Sequence, residues 1–182
     1  QRFLLRGTHY HEDDAGVGAA VSDASYRRTF EQIKAMGANF VRLAHYQQSP
    51  EVLDLCDQLG LLVWEEIPWC RGGMGGAQYQ HQCRDMLTDM INQHYNHPAV
   101  IMWGLGNEID LPGDFQTLDQ KAIRDFMKEL IALAHQLDSS RMTCIRRCDF
   151  CSDIVDVYSP SIWAGWYLGH YTEYRQASEK AI

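Results

Sequence analysis

Glu108 and Asn107 stand where an uncharged run stops, since the seven residues from Val100 to Gly106 carry no ionisable side chain. A run of this kind, preceded by Asn96-His97-Pro98, reads as a strand buried on both faces, as in a parallel sheet. Parallel α/β sheets and (β/α) barrels place their chemistry at the carboxyl ends of strands. A carboxyl group delivered there, in a mouth partly walled by Trp103, is poorly solvated. That favours its protonated form and suits it to donate a proton. The plainer reading of the pair is a cap on the loop that follows.

Other reactive side chains recur at similar places along the chain. Thr8 to Asp14, which includes His9, His11 and Glu12, forms a polar cluster directly after a short apolar run, a ligand-loop pattern. Arg42 stands near the end of another run, with His45 and Tyr46 just beyond it, and Glu65-Glu66 closes a third. A lone histidine is more often structural, and His81, His94, His97, His135 and His170 read that way. Trp69, Trp163 and Trp166 are candidates to stack on the apolar face of a ligand, whereas Trp64 and Trp103 read as core.

Strands are expected over Phe3–Gly7, Phe40–Leu43, Leu61–Trp64, Val100–Gly106, Met142–Ile145 and Ile154–Tyr158. Helices are expected over Asp23–Met36, from Ser49 as N-cap and Pro50 to a stop at Gly60, over Gln78–Tyr95, and over Thr117–Leu137. Strand and helix alternate with short connections, so the whole of residues 1–182 is one α/β domain built on a parallel sheet. Two architectures fit, a doubly wound sheet and a (β/α)8 barrel. The second needs roughly 250 residues, so this chain would be an incomplete portion covering about the first six βα units.

The 182 residues, 46% of them hydrophobic, suffice for one sizeable core. Sixteen basic against twenty-four acidic residues give a net charge of −8, which argues against nucleic acid or an anionic membrane as partner. No apolar run reaches the length of about eighteen needed to span a bilayer. The opening residues Gln1 to Gly7 are too short for a signal peptide and start as if inside a strand, so other domains of a longer chain are expected partners, and a homo-oligomer is possible. The six cysteines are scattered rather than densely spaced and are expected as free thiols. The loop from Arg71 to Gly76 holds four glycines but lacks the lysine of a phosphate cradle.

Taken in order, Arg6-Gly7 with His11-Glu12, Arg42 to Tyr46, Glu65-Glu66, Trp103 to Glu108 and Gly165-Trp166-Tyr167 resemble the catalytic barrel of glycoside hydrolase family 2, which holds β-galactosidases, β-glucuronidases and β-mannosidases. The resemblance spans nearly the whole chain. It implies a TIM (β/α)8 barrel and an exo-acting, retaining hydrolase of terminal β-linked sugars, with a glycoside or oligosaccharide as substrate and no cofactor. By the same resemblance Glu108 is the general acid/base and Asn107 bonds the sugar 2-hydroxyl. Arg42 keeps the nucleophile ionised, His11 and His45 line the sugar pocket, Glu66 supports its floor, and Trp163 stands where several relatives have a tyrosine touching the nucleophile. The segments Arg42 to Tyr46 and Trp103 to Glu108 lean toward the β-galactosidase branch.

Two departures qualify the match. The family's nucleophile ends the seventh strand, which would lie beyond residue 182, and Glu173 and Glu179 make poor substitutes. Where metal-dependent β-galactosidases of the family have a Glu and a His, this chain has Cys70 and Gly72, so no magnesium site is expected. Two rival readings stay open. Cys144, Cys148 and Cys151 have the C-x3-C-x2-C spacing of radical S-adenosylmethionine enzymes, which ligate an iron-sulfur cluster, although those place it after the first strand. A carbohydrate-binding fragment without turnover is the other.

Overall fold

Two residue patterns build the structure, a computed structural model described for residues 3–111 and 118–181. Apolar residues at three-to-four spacing make the helices, and short β-branched or aromatic runs make the strands. In chain order these are β1 (Gly7–Tyr10), α1 (Asp23–Ala35), β2 (Phe40–Leu43), α2 (Pro50–Leu59), β3 (Leu62–Glu66), α3 (Ala77–His94), β4 (Val100–Asn107), α4 (Gln120–Leu137), β5 (Met142–Arg146), β6 (Val157–Ser159) and α5 (Tyr174–Ala181). The six strands lie side by side in sequence order and every neighbouring pair is parallel. This is the arrangement of an incomplete (β/α) barrel.

Helix ends follow their sequence signals. The Ser22 side chain accepts from Ser25 N at the start of α1, Ser49 accepts from Glu51 N ahead of Pro50 in α2, and Gly60 ends α2 at φ 64°, a left-handed conformation that glycine adopts without steric cost. Tyr26, Phe30 and Ile33 form the buried face of α1. Phe30 is fully buried, and that burial contributes roughly 1.5–3 kcal/mol.

Alternation along the strands divides the core in two. Val41, Leu43, Val63, Trp103, Leu105 and Ile145 face the helix layer in the main apolar cluster, while Trp64, Met102 and Cys144 form a second cluster with Phe40 and Val157 against it. Gly104 makes the inner face possible, because a Cβ there would lie 2.3 Å from both the Glu66 Cβ and the Trp64 indole nitrogen. All six cysteines are free, and only Cys70 is exposed.

Several expected boundaries move. β1 begins at Gly7, where the strand was expected to end, and Phe3, Leu4 and Leu5 are exposed. Pairing decides this, since the Arg6 carbonyl accepts from Asn39 N and Phe40 N and the ladder with β2 runs on from Gly7. Ile154 and Val155 pack from a turn rather than a strand, because Asp156 is held by the Thr143 amide and hydroxyl and β6 pairs only from Val157. β3 extends through both glutamates. The expected helix start at Thr117 lies outside the described residues, as do Gln1 and Arg2.

Candidate active site

The carboxyl ends of β2, β3 and β4 bring Arg42, Glu66 and Asn107 together. Arg42, 2% exposed, donates from Nε to Glu66 Oε2 at 2.9 Å and from Nη2 to Glu66 Oε1 at 2.7 Å and Asn107 Oδ1 at 2.9 Å. Its guanidinium lies 4.9 Å from the centre of the Trp64 ring. A bidentate guanidinium–carboxylate pair of this kind is rigid and strongly directional. His45 Nδ1 stands 2.5 Å from Glu66 Oε1. Since the carboxylate can only accept, that nitrogen carries the proton. The peptide joining Ala44 to His45 is cis.

Asn107 reaches this cluster only because β4 is irregular. Trp103 and Leu105 point outward, and strict alternation would send Asn107 the same way. Between Gly104 and Asn107 the ladder with β5 advances three residues on β4 against two on β5. The extra residue is a bulge that re-aims the side chain. The segment after β3 then lies alongside: Asn107 N donates to the Trp69 carbonyl, Arg71 N donates to the Asn107 carbonyl, and Asn107 Nδ2 reaches Cys70 Sγ at 3.4 Å.

Glu108 follows the bulge at φ 53°, a left-handed conformation unusual for a non-glycine residue and frequent where function over-determines the backbone. The residue is 5% exposed. Its Oε2 accepts from Arg71 Nη2 at 3.2 Å, and its Oε1 accepts from the Trp163 indole nitrogen at 3.1 Å and from Ser161 Oγ at 3.3 Å. Three donors from two loops therefore fix one carboxyl group in the wall of a cleft of about 940 Å³.

That cleft is lined by Arg42, His45, Asn107, Glu108, His11 and Trp163. Glu66 sits fully buried behind Arg42 and His45. The His11 and His45 rings meet edge to face at 5.1 Å, and burial together with His45 lowers the His11 pKa. Trp166 also lines the cleft, but Trp69 is a correction: it is fully buried, packs against Phe126 at 5.2 Å and donates to the Gly73 carbonyl, so it is core and meets no sugar.

Sequence reasoning missed Arg71 and Arg146 and passed over His9, all of which line the cleft. Burial and the Arg42 guanidinium push the His9 pKa down to about 3, so its neutral ring accepts from Arg42 Nη1 at 3.4 Å. Arg146 ends β5 as Arg42 stands one residue from the end of β2, a signal open to the same argument. Arg71 lay in a glycine-rich loop weighed only as a phosphate cradle.

The cysteine rival fails on geometry. Cys144 packs with Trp64 and Met102 on the inner face, whereas Cys148 and Cys151 belong to the main cluster on the helix side. Among the described residues, the one trio of groups close enough to share a metal ion is Asp54, Asp57 and His97. It lies at the opposite end of the strands, where Asp57 is already engaged by His97 and Ala99 N. Neither Glu173 nor Glu179 lines the cleft that holds Glu108, and Glu179 is paired with Arg175.

A parallel sheet with a cleft lined by charged groups at the strands' carboxyl ends defines the class as a (β/α)-barrel domain. Within it, the family model for the TIM barrel domain of glycosyl hydrolases family 2 matches residues 1–180, and the chain belongs to that family. A protein of Formosa agariphila with a provisional β-glucuronidase name is 56% identical over 178 residues, which is 97% of this chain and 22% of that protein. A β-galactosidase of Thermoanaerobacter pseudethanolicus is 37% identical over 140 residues, covering 76% of this chain and 17% of its own length. The apo structure of Bacteroides uniformis β-glucuronidase 3 superposes with a TM-score of 0.92 at 64% identity, over 99% of this chain and 23% of that one. The chain thus spans 17% to 23% of these three proteins.

Proposed function

We propose that the protein containing this domain is an exo-acting, retaining β-glycosidase in which Glu108 is the general acid/base. The supporting observation is one buried carboxyl group held by Arg71, Ser161 and Trp163 on the wall of the cleft. In this reading Glu108 protonates the departing glycosidic oxygen while a second carboxylate, supplied from outside these residues, attacks the anomeric carbon. Glu108 then takes a proton from water, which displaces the covalent sugar with its β configuration restored. Such a pair of carboxyl groups stands about 5 Å apart. Arg42, bonded to Glu66 and to Asn107, and Asn107, bonded also to Cys70, are held in place at the floor, where an interaction with a sugar hydroxyl is preorganised rather than assembled on binding.

The terminal sugar we favour is a β-linked uronic acid. The relatives of highest identity described above carry β-glucuronidase names, and the cleft is lined by three arginines. A β-galactoside is the second reading, supported by the 37% identical β-galactosidase. A panel of nitrophenyl β-glycosides against the full-length enzyme tests both. Highest kcat/KM on the glucuronide supports the first reading and highest on the galactoside the second. Binding of sugars with no turnover on any member would make the protein a carbohydrate-binding one and defeat the role given to Glu108.

A further inference from the structure

Among the described residues, the charged groups of the cleft are accounted for with one exception. Arg42 is paired with Glu66 and bonded to Asn107, and Arg71 is paired with Glu108. Arg147, beside the cleft, holds Asp110 with both oxygens at 3.1 Å and stacks 4.2 Å from the centre of the Trp163 ring. The Arg146 side chain lines the cleft, yet among the described residues no carboxylate pairs with it. Burial and the neighbouring Arg42 lower its pKa, and Glu108 and Glu66 only partly offset this. Holding a guanidinium half-buried without a partner is costly, so a ligand that relieves the cost gains affinity from it.

A second carboxylate for the retaining pair does not remove the surplus. When Glu108 is protonated for its first step, Arg42, Arg71 and Arg146 face two carboxylates, Glu66 and the incoming nucleophile. Among the described residues and that nucleophile, one positive charge is left over. It sits on a strand bonded directly to the acid's own backbone, since Glu108 N donates to the Arg146 carbonyl at 2.9 Å and Asn107 is its register partner on β4. This lies in a chain whose net charge is −8, so the local sign opposes the global one.

We propose that Arg146 determines specificity by receiving an anionic group of the substrate, a carboxylate or a sulfate ester, in the cleft beside Glu108. A planar guanidinium with parallel donors matches either oxyanion two bonds at a time. The inference rests on the hydrolase reading above. The anion can belong to the terminal sugar or to the group that leaves, and the test separates these sources.

The experiment uses the full-length enzyme with Arg146→Met and Arg146→Lys. One arm measures inhibition by free glucuronate against free glucose. The other measures kcat/KM for paired aryl glycosides that differ only in a neutral or a sulfonated leaving group, on whichever sugar is hydrolysed. The expected result is a loss in Arg146→Met at least about tenfold larger for the charged member of one pair than for its neutral partner, equivalent to ~1.4 kcal/mol. Arg146→Lys falls between, and added salt weakens the wild-type preference. The arm showing the selective loss identifies the source. Equal losses on charged and neutral members of both pairs, or no loss, overturn the proposal. Failure to hydrolyse any glycoside counts against Glu108 instead, and the inhibition arm still reads Arg146.

Discussion

Both ends of the parallel sheet bury charge, and they treat it differently. At the amino ends of the strands Asp138, Asp57 and Asp156 are bonded by fixed donors of the chain itself. Asp138 accepts from the Trp103 indole, from Arg141 and from the amide and hydroxyl of Ser140. Asp57 holds His97 and Ala99 N, and Asp156 holds Thr143. At the carboxyl ends, Glu108, Arg146 and the histidines stay turned toward an open cleft. Even adjacent residues divide this way. Glu65 and Glu66 are both fully buried, but Glu65 pairs with His94 on α3 and Glu66 with Arg42 and His45 in the cleft. The lower charges clamp the fold, and the upper ones face the cleft, the division expected of barrel enzymes.

Substitutions at the two ends sharpen or break that division, and the largest expected effect is at Glu108. In the full-length enzyme, Glu108→Gln should lower kcat/KM on a poor leaving group by about 10²–10⁴, the range for a general acid, with an unchanged unfolding curve. Loss of folding instead would place Glu108 among the clamps. Arg42→Met should cross the division, costing about 3–5 kcal/mol of stability by leaving Glu66 buried with reduced compensation while also lowering turnover. An effect on only one of the two readouts would show that the floor is not a single unit.

Asp138→Asn should do the reverse of Glu108→Gln, costing about 1–3 kcal/mol in denaturant unfolding and leaving kcat/KM unaltered. Burial opposes ionisation of Asp138, but the hydrogen bonds from Ser140, Arg141 and Trp103 outweigh it and hold its pKa well below the usual carboxylate range. A depressed pKa contributes stability that is fully present above the unfolded value, about 3.9, and is lost as pH falls through the folded one. The wild type should therefore lose stability relative to Asp138→Asn below about pH 4, and parallel curves would contradict this. The smallest effect is expected at Trp163→Phe, which removes one neutral donor to Glu108. It should cost ~1 kcal/mol, about fivefold in kcat/KM.

Much of this was legible in the residues themselves. Ser49-Pro50 and Gly60 bounded α2, and the apolar run up to Gly106 located both β4 and the acid that follows it. β1 was misplaced because its pairing with Phe40 to Leu43, rather than its apolar neighbours Phe3 to Leu5, sets where the ladder begins. Trp69 was misread because a ring's exposure depends on what packs over it, here Phe126 and Gly73. The bulge that turns Asn107 inward leaves no mark in the sequence, because Trp103, Leu105 and Asn107 keep a perfect alternation there. Arg71 reaches Glu108 only because the loop after β3 adds itself to the sheet beside Asn107.

The most direct test of the central claim is the product that full-length Glu108→Gln forms from an activated dinitrophenyl β-glycoside in the presence of azide, read by proton NMR. Azide needs no base to displace the sugar from a covalent intermediate, so the account predicts restored turnover and a β-configured glycosyl azide. No acceleration by azide and no azide adduct, or an α-configured one, would contradict it.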